Sequence, residues 1–383
     1  MTTLWSAAGR LGLAVLAIVL SAGLPGCASV HGPQVPAAAT QAKRQAFLAT
    51  AVASVLARQQ AEDAPGVAAI VVKDGKVVLS IAKGMADIAR QTAIDQETVF
   101  DIASVSKSIT AIAAMRLVEQ GRLSLDDSIL KWLPGLPAAW RGVTVHHLLS
   151  HQSGIADITR VSLKQFSAFN GMDNAALMTR YAGAPALSFT PGSRAEYTNT
   201  NYIFLAEVIG RASGQGYGPY LRQHVFAPAG MGSTFLHGET APASAKVALN
   251  YARTSRSYGI DLATLGATGI FSSASDMAAL LDSLLAGKLV SPATLRTMTQ
   301  QQSIGPVVQS RYGYGFFVPA GSAPMTVFAH TGELDGYRSF LRVNVSKGVH
   351  YVVLSNGGEA GYAVVNNIVA AIQQAFERDG TVK

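Results

Sequence analysis

The pattern of apolar and polar positions changes character along the chain. Leu11 to Leu24 is an apolar run broken only by Gly12, Ser21 and Gly23. From Gln41 to Gln60, Phe47, Leu48, Val52, Val55 and Leu56 recur near helical spacing and predict a helix. Val67–Val72 and Val77–Ile81 are β-rich runs on either side of Asp74-Gly75, a strong hairpin signal. Near the C-terminal end Met325–Ala329, Phe340–Val345 and His350–Leu354 read as strands, with Ser346-Lys347-Gly348 as a turn. A last helix is expected from Tyr362 to Arg378.

Between these ends the pattern is helical with long loops. Ile109–Gln120 stops at Gly121 and Tyr202–Ser213 stops at Gly214. Strands at both ends and helices in the middle predict an α+β fold rather than a doubly wound sheet. The expected architecture is an antiparallel sheet built from both chain ends, flanked by helices. A mainly helical region, roughly 120–300, is inserted within a domain spanning 46–383.

Composition excludes several classes. Hydrophobic residues make up 49% and charged residues 14% of the 383, which rules out a disordered chain. The net charge of +7 comes without a basic cluster, since no more than two Lys or Arg are adjacent (Lys43, Arg44). No nucleic acid is therefore expected as a partner. One cysteine, Cys27, excludes an intrachain disulfide and a cysteine-based zinc site.

That cysteine changes the reading of the N-terminus. The apolar run is too short to span a bilayer, which needs about 20 residues, and fits the centre of a secretory signal. It ends in Leu24-Pro25-Gly26-Cys27, which resembles a bacterial lipobox. Residues 1–26 are expected to be a signal peptide, Cys27 a lipidated N-terminus, and 27–45 a flexible tether. The protein would be exported and held by its lipid at the periplasmic face of a bacterial membrane.

For chemistry, no G-x-S-x-G, P-loop or H-E-x-x-H occurs. His147 and His151 sit four apart, but no Glu lies between them and Gly154 follows. This reads as a helix end with polar contacts, so no metal is expected. S-x-x-K occurs three times. Ser80 and Lys83 fall in the predicted hairpin, where side chains three apart face opposite ways. Ser128 and Lys131 precede Pro134 in a segment too short for a stable helix. Ser104-Val105-Ser106-Lys107 opens a clear helix, so Ser104 and Lys107 share a face, and a helix N-terminus favours developing negative charge. A neutral lysine amine there could take the serine proton. Tyr197-Thr198-Asn199 is the only Y-x-N, in a loop before a helix, and His330-Thr331-Gly332 the only H-T-G, at a strand end.

In this order the three motifs resemble the serine β-lactamase and penicillin-binding-protein superfamily. The nearest branch is that of class C β-lactamases, D-alanyl-D-alanine carboxypeptidases, D-aminopeptidases and esterases. Leu123–Asp127, the stretch 146–154 and Gly269–Ser273 match as well, and the resemblance covers about residues 46–378. It implies Ser104 as acylated nucleophile, Lys107 as its activating partner and Tyr197 as a proton shuttle. It implies Asn199, His330, Thr331 and Gly332 as substrate contacts. The backbone N–H groups of Ser104 and Glu333 would form the oxyanion hole. His330 stands where many members have lysine, and a neutral imidazole attracts a substrate carboxylate less than an ammonium does. The expected activity is serine hydrolysis without cofactor, on a peptide of D-amino-acid type, an ester or a β-lactam. It would resemble a carboxypeptidase or esterase more than an efficient β-lactamase. The alternative is a non-catalytic envelope lipoprotein that keeps the fold as a binding module. Loss of Ser104, Lys107 or Tyr197 would have signalled it, and all three are present.

Overall fold

The structure, a computed structural model, describes residues 41–378 apart from 60–62, 159–172, 182, 184–185, 244, 253–254, 257–263, 305–310, 320–321 and 335. The expected signal segment 1–26, Cys27 and residues 28–40 of the expected tether lie outside the described residues. Residues 41–45, expected as the end of a tether, are helical instead. They belong to the helix Gln41–Gln59, which Arg44 ties to the Ala375 carbonyl at 2.6 Å and Gln45 to the Val78 carbonyl at 3.0 Å. Among the described residues, no helix is long and apolar enough to cross a membrane.

Asp74 and Gly75 take φ of 50° and 72°. Two left-handed residues let a tight turn follow the twist of its strands, here Val67–Lys73 and Lys76–Lys83. These two strands join six from the C-terminal half. Across the sheet the order is Ser303–Ile304, Arg311–Tyr312, Phe317–Val318, Val327–Leu334, Tyr337–Asn344, Val349–Ser355, Val67–Lys73 and Lys76–Lys83. Every neighbouring pair is antiparallel. Both chain ends therefore build one sheet, as the pattern predicted. Val67–Val72 and Val349–Ser355 are buried at every residue rather than at alternate ones. That pattern requires cover on both faces. Gly358–Phe376 packs with Gln41–Gln59 and the sheet, and Ala274–Leu285 packs against the same two buried strands.

The helical region starts earlier than residue 120. It begins at the 3₁₀ turn Ala103–Val105 and the helix Ser106–Glu119, which packs on Asn199–Ser213. A small sheet, Val99–Asp101 with Ile270–Ser273 and Phe235–Leu236, joins this region to the rest. The H-T-G motif is not at a strand end either. Val327–Leu334 runs through it, because Tyr337–Asn344 pairs with it as far as Leu334.

Candidate active site

Ser104 sits where the small sheet meets the first buried helix. Ile102 N–H donates to the Ile270 carbonyl at 2.9 Å, and Ala103 N–H to Asp101 Oδ1 at 2.7 Å. Ser339 Oγ donates to the Ile102 carbonyl at 2.6 Å. Pinned this way, Ala103 adopts φ of 49°, a left-handed conformation that costs a non-glycine residue about 1–2 kcal/mol. The chain thus turns sharply from strand to helix, with Ser104 half-buried at the corner and Lys107 one turn on with no exposure at all.

Among the described residues Lys107 Nζ has three hydrogen-bonded oxygen neighbours: Ser104 Oγ at 3.1 Å, Asn199 Oδ1 at 2.7 Å and the Ala267 carbonyl at 3.0 Å. Burial pulls its pKa down to about 7, while the Asp157 carboxylate acts in the opposite direction. A neutral amine keeps two N–H groups. Asn199 Oδ1 and the Ala267 carbonyl, which can only accept, take both. The lone pair then points at Ser104 Oγ and can receive its proton.

The Tyr197 hydroxyl is hydrogen-bonded to the Ser104 side chain. Burial raises the tyrosine pKa well above its usual value, so the phenol keeps its proton at neutral pH. Its ring centroid lies 5.0 Å from Lys107 Nζ. Thr198 caps the helix Asn199–Ser213 by accepting from Thr200 N–H at 3.2 Å, which makes Asn199 the first helical residue rather than a loop residue. Asn199 N–H in turn donates to Asp157 Oδ2 at 3.2 Å.

The strand Val327–Leu334 closes the third side. A Cβ on Gly332 would overlap the Ile102 carbonyl and lie 3.1 Å from Ala103 Cβ. Glycine therefore lets the strand run directly against the turn that carries Ser104, and the backbone of Glu333 follows beside it. Among the described residues Phe317–Val318 pairs with this strand only at Ala329, and no other strand covers that edge beyond it. Thr331 faces the other way and lines a small cleft with Arg338, Tyr362 and Asn366. Glu333 pairs with Arg338 at 2.9 Å.

His330 is not placed as a substrate contact. Its ring has no exposure, its Nδ1–H donates to the Thr331 carbonyl at 2.7 Å, and the Tyr312 hydroxyl donates to its Nε2 at 3.0 Å. Both nitrogens are therefore used inside the protein. Burial, helped by the Lys107 charge, lowers its pKa to about 3. Asn199 likewise uses Oδ1 on Lys107.

The other two S-x-x-K pairs are not brought to the site. Ser80 and Lys83 lie on the strand Lys76–Lys83. Ser128 caps a four-residue helix and donates to the Arg141 carbonyl at 2.8 Å, while Lys131 pairs with Asp127 at 2.8 Å. His147 and His151 make separate polar contacts, His147 with Thr144 and His151 with Thr198. Among the described residues no cluster could hold a metal ion.

The beta-lactamase family profile matches residues 52–375, which covers every residue of the candidate site. The chain belongs to the beta-lactamase family. A curated relative of this family, Protein flp of Staphylococcus aureus strain MW2, is 28% identical over 76% of this chain. The chain spans 59% of that relative's own length. The penicillin-binding protein of Bacillus halodurans superposes with a TM-score of 0.73 at 25% identity, covering 83% of this chain and 99% of that one. The D-amino acid amidase of Ochrobactrum anthropi SV3 superposes with a TM-score of 0.70 at 23% identity, covering 85% and 98%.

Three contributors to the site escaped the sequence reading. The Ala267 carbonyl carries no side-chain signal. Asp157 follows the 146–154 stretch that marked the family, and Tyr312 sits among the aromatic residues of Tyr312–Phe317; neither stood out without a fold to place it.

Proposed function

We propose that this member of the beta-lactamase family is an exported serine hydrolase that acylates Ser104 and then hydrolyses the acyl-enzyme. The observation that carries this is the Lys107 environment. Its amine titrates near neutrality, and its two accepting neighbours leave the lone pair for Ser104. Ser104 Oγ would attack the substrate carbonyl while Lys107 takes its proton. Tyr197, still protonated, would hand its proton to the leaving group and regain one from Lys107, which holds the proton it took from Ser104. The backbone N–H groups of Ser104 and Glu333 would hold the oxyanion, a contribution of about 3 kcal/mol per donor in the transition state.

For substrate we propose an amide or peptide of D-amino-acid type, or an ester. The amidase of similar fold supports this class. The neutral, enclosed His330 supports it against efficient β-lactam hydrolysis, because the motif supplies no cation for a substrate carboxylate. The backbone of Thr331 and Gly332 would border the substrate along the edge of their strand, while the Thr331 side chain faces away from it. Cys27 supports a lipid anchor at the periplasmic face.

The test is reaction with a fluorophosphonate, followed by peptide mapping. One adduct is expected, on the peptide containing Ser104, and Ser104→Ala should abolish it with the fold intact. Labelling at Ser80 or Ser128 would refute the assignment. A folded protein that takes up neither phosphonate nor penicillin would instead support a binding module.

A further inference from the structure

We infer that His151 is a positioning residue for Tyr197, acting through its Nδ1 and its carbonyl on the two peptide groups that flank the tyrosine. This rests on the reading of Tyr197 as the proton shuttle.

His151 follows the short helix Val145–Leu149 and is 2% exposed. Its φ is 60°, a conformation glycine would adopt without strain at the end of a helix. The side chain held there reaches across to another element. Thr198 N–H donates to His151 Nδ1 at 3.3 Å, and Glu196 N–H donates to the His151 carbonyl at 2.9 Å. One residue thus holds the chain immediately before and immediately after Tyr197. The imidazole also lies on the tyrosine ring, with centroids 4.4 Å apart and planes 36° apart. Tyr202 and Tyr312 enclose it from other sides, at 5.1 and 4.7 Å.

The Thr198 contact has a particular consequence. Thr198 is the cap residue of the helix that begins at Asn199. In a capping box the third helical residue would bind the cap's own N–H. Here that residue is Asn201, whose Oδ1 is taken by Ser153 Oγ at 2.6 Å. His151 Nδ1 fills the role from a distant element, and so couples the Tyr197 loop to the helix end that carries it. An acceptor is required at that atom, which fixes the tautomer with its proton on Nε2. Nε2 has no hydrogen-bond partner among the described residues. Among the described residues, the ring's hydrogen bonding is therefore on its Nδ1 side, while Tyr197, Tyr202 and Tyr312 pack around it.

Asparagine tests this directly. Its Oδ1 occupies the place of Nδ1, and asparagine tolerates a left-handed φ. His151→Asn should keep kcat within about threefold of wild type. His151→Leu fills similar space without an acceptor. It should lower kcat about 10- to 100-fold with KM nearly unchanged, the cost expected for misplacing a proton-transfer group by a fraction of an ångström to one ångström. The loss should vanish in a Tyr197→Phe background, because the two residues act as one unit. If His151→Leu does not fold, His151→Gln takes its place. Its amide reaches the Nε2 position instead, and the same loss of kcat is expected. Equal impairment of the Asn and Leu (or Gln) variants would overturn the inference, as would full activity in both or a change confined to KM. High activity in Tyr197→Phe alone would instead remove the shuttle reading on which it rests.

Discussion

Lys107→Met should flatten the pH dependence of folding stability between pH 7 and 9. In the unfolded chain the lysine titrates near its model value of 10.5, and in the folded protein burial brings this to about 7. Between those values the unfolded state holds a proton that the folded state has released. Raising the pH therefore favours the folded state. The slope approaches 1.4 kcal/mol per pH unit, and over pH 7 to 9 the gain sums to about 2 kcal/mol. Below pH 7 both states carry the charge and the slope disappears; above about 10.5 both are neutral. Methionine has no proton to release, and all other groups titrate in both proteins, so the difference between the two curves isolates position 107. The assay is urea unfolding at pH 7, 8 and 9, comparing the stability of wild type minus variant at each. A difference that grows by about 2 kcal/mol with pH is expected. Parallel curves would refute a neutralised lysine, and with it the account of how Ser104 is activated.

His330→Lys should add a cation beside Lys107 and move the acid limb of Ser104 phosphonylation below pH 7, because a like charge disfavours the protonated amine. An unchanged limb would show that position 330 is not electrostatically coupled to the lysine. Cys27→Ser should release the protein from the membrane fraction with unchanged hydrolysis, since one acyl chain binds membranes only marginally and two or more hold stably. An unmodified mature terminus in the wild type would overturn the anchor.

The hairpin at Asp74-Gly75, the paired C-terminal strands and the helix stops at Gly121 and Gly214 were legible because each depends on neighbouring residues. Strand limits around His330 were not. Thr331, Gly332 and Glu333 read as a strand end by composition, yet pairing with Ser339 and Arg338 carries the strand through them. Ser104 and Lys107 could be paired from the sequence because one helical turn joins them. The distant partners of Lys107 could not be, since Asn199 and Ala267 are brought to it by tertiary packing. The substrate role expected of His330 followed from its motif position. The environment reverses the geometry: Tyr312 lies on a neighbouring part of the sheet and turns the imidazole into an internal acceptor.

Three basic side chains crowd the site, and their mutual repulsion sets how many protons it can hold. His151 and His330 are both driven to low pKa by burial first and by the charge on Lys107 second, and His330 further disfavours a cation on His151. Both imidazoles have committed a nitrogen as acceptor, His151 to Thr198 N–H and His330 to the Tyr312 hydroxyl. Protonating His151 at Nδ1 would set that N–H against the Thr198 N–H, two donors face to face, and protonating His330 at Nε2 would force the Tyr312 hydroxyl to turn from donor to acceptor. Lys107 is therefore the one group of the three that titrates near neutrality. Above pH 4 the acid side of a kcat/KM profile should fall with a slope of one, with its midpoint near 7. The measurement is a pH series with a neutral ester, whose own ionisation cannot contribute. A slope approaching two between pH 5 and 7 would mean that a histidine charges together with the lysine. The two acceptor assignments, and the positioning role of His151 built on one of them, would then be wrong.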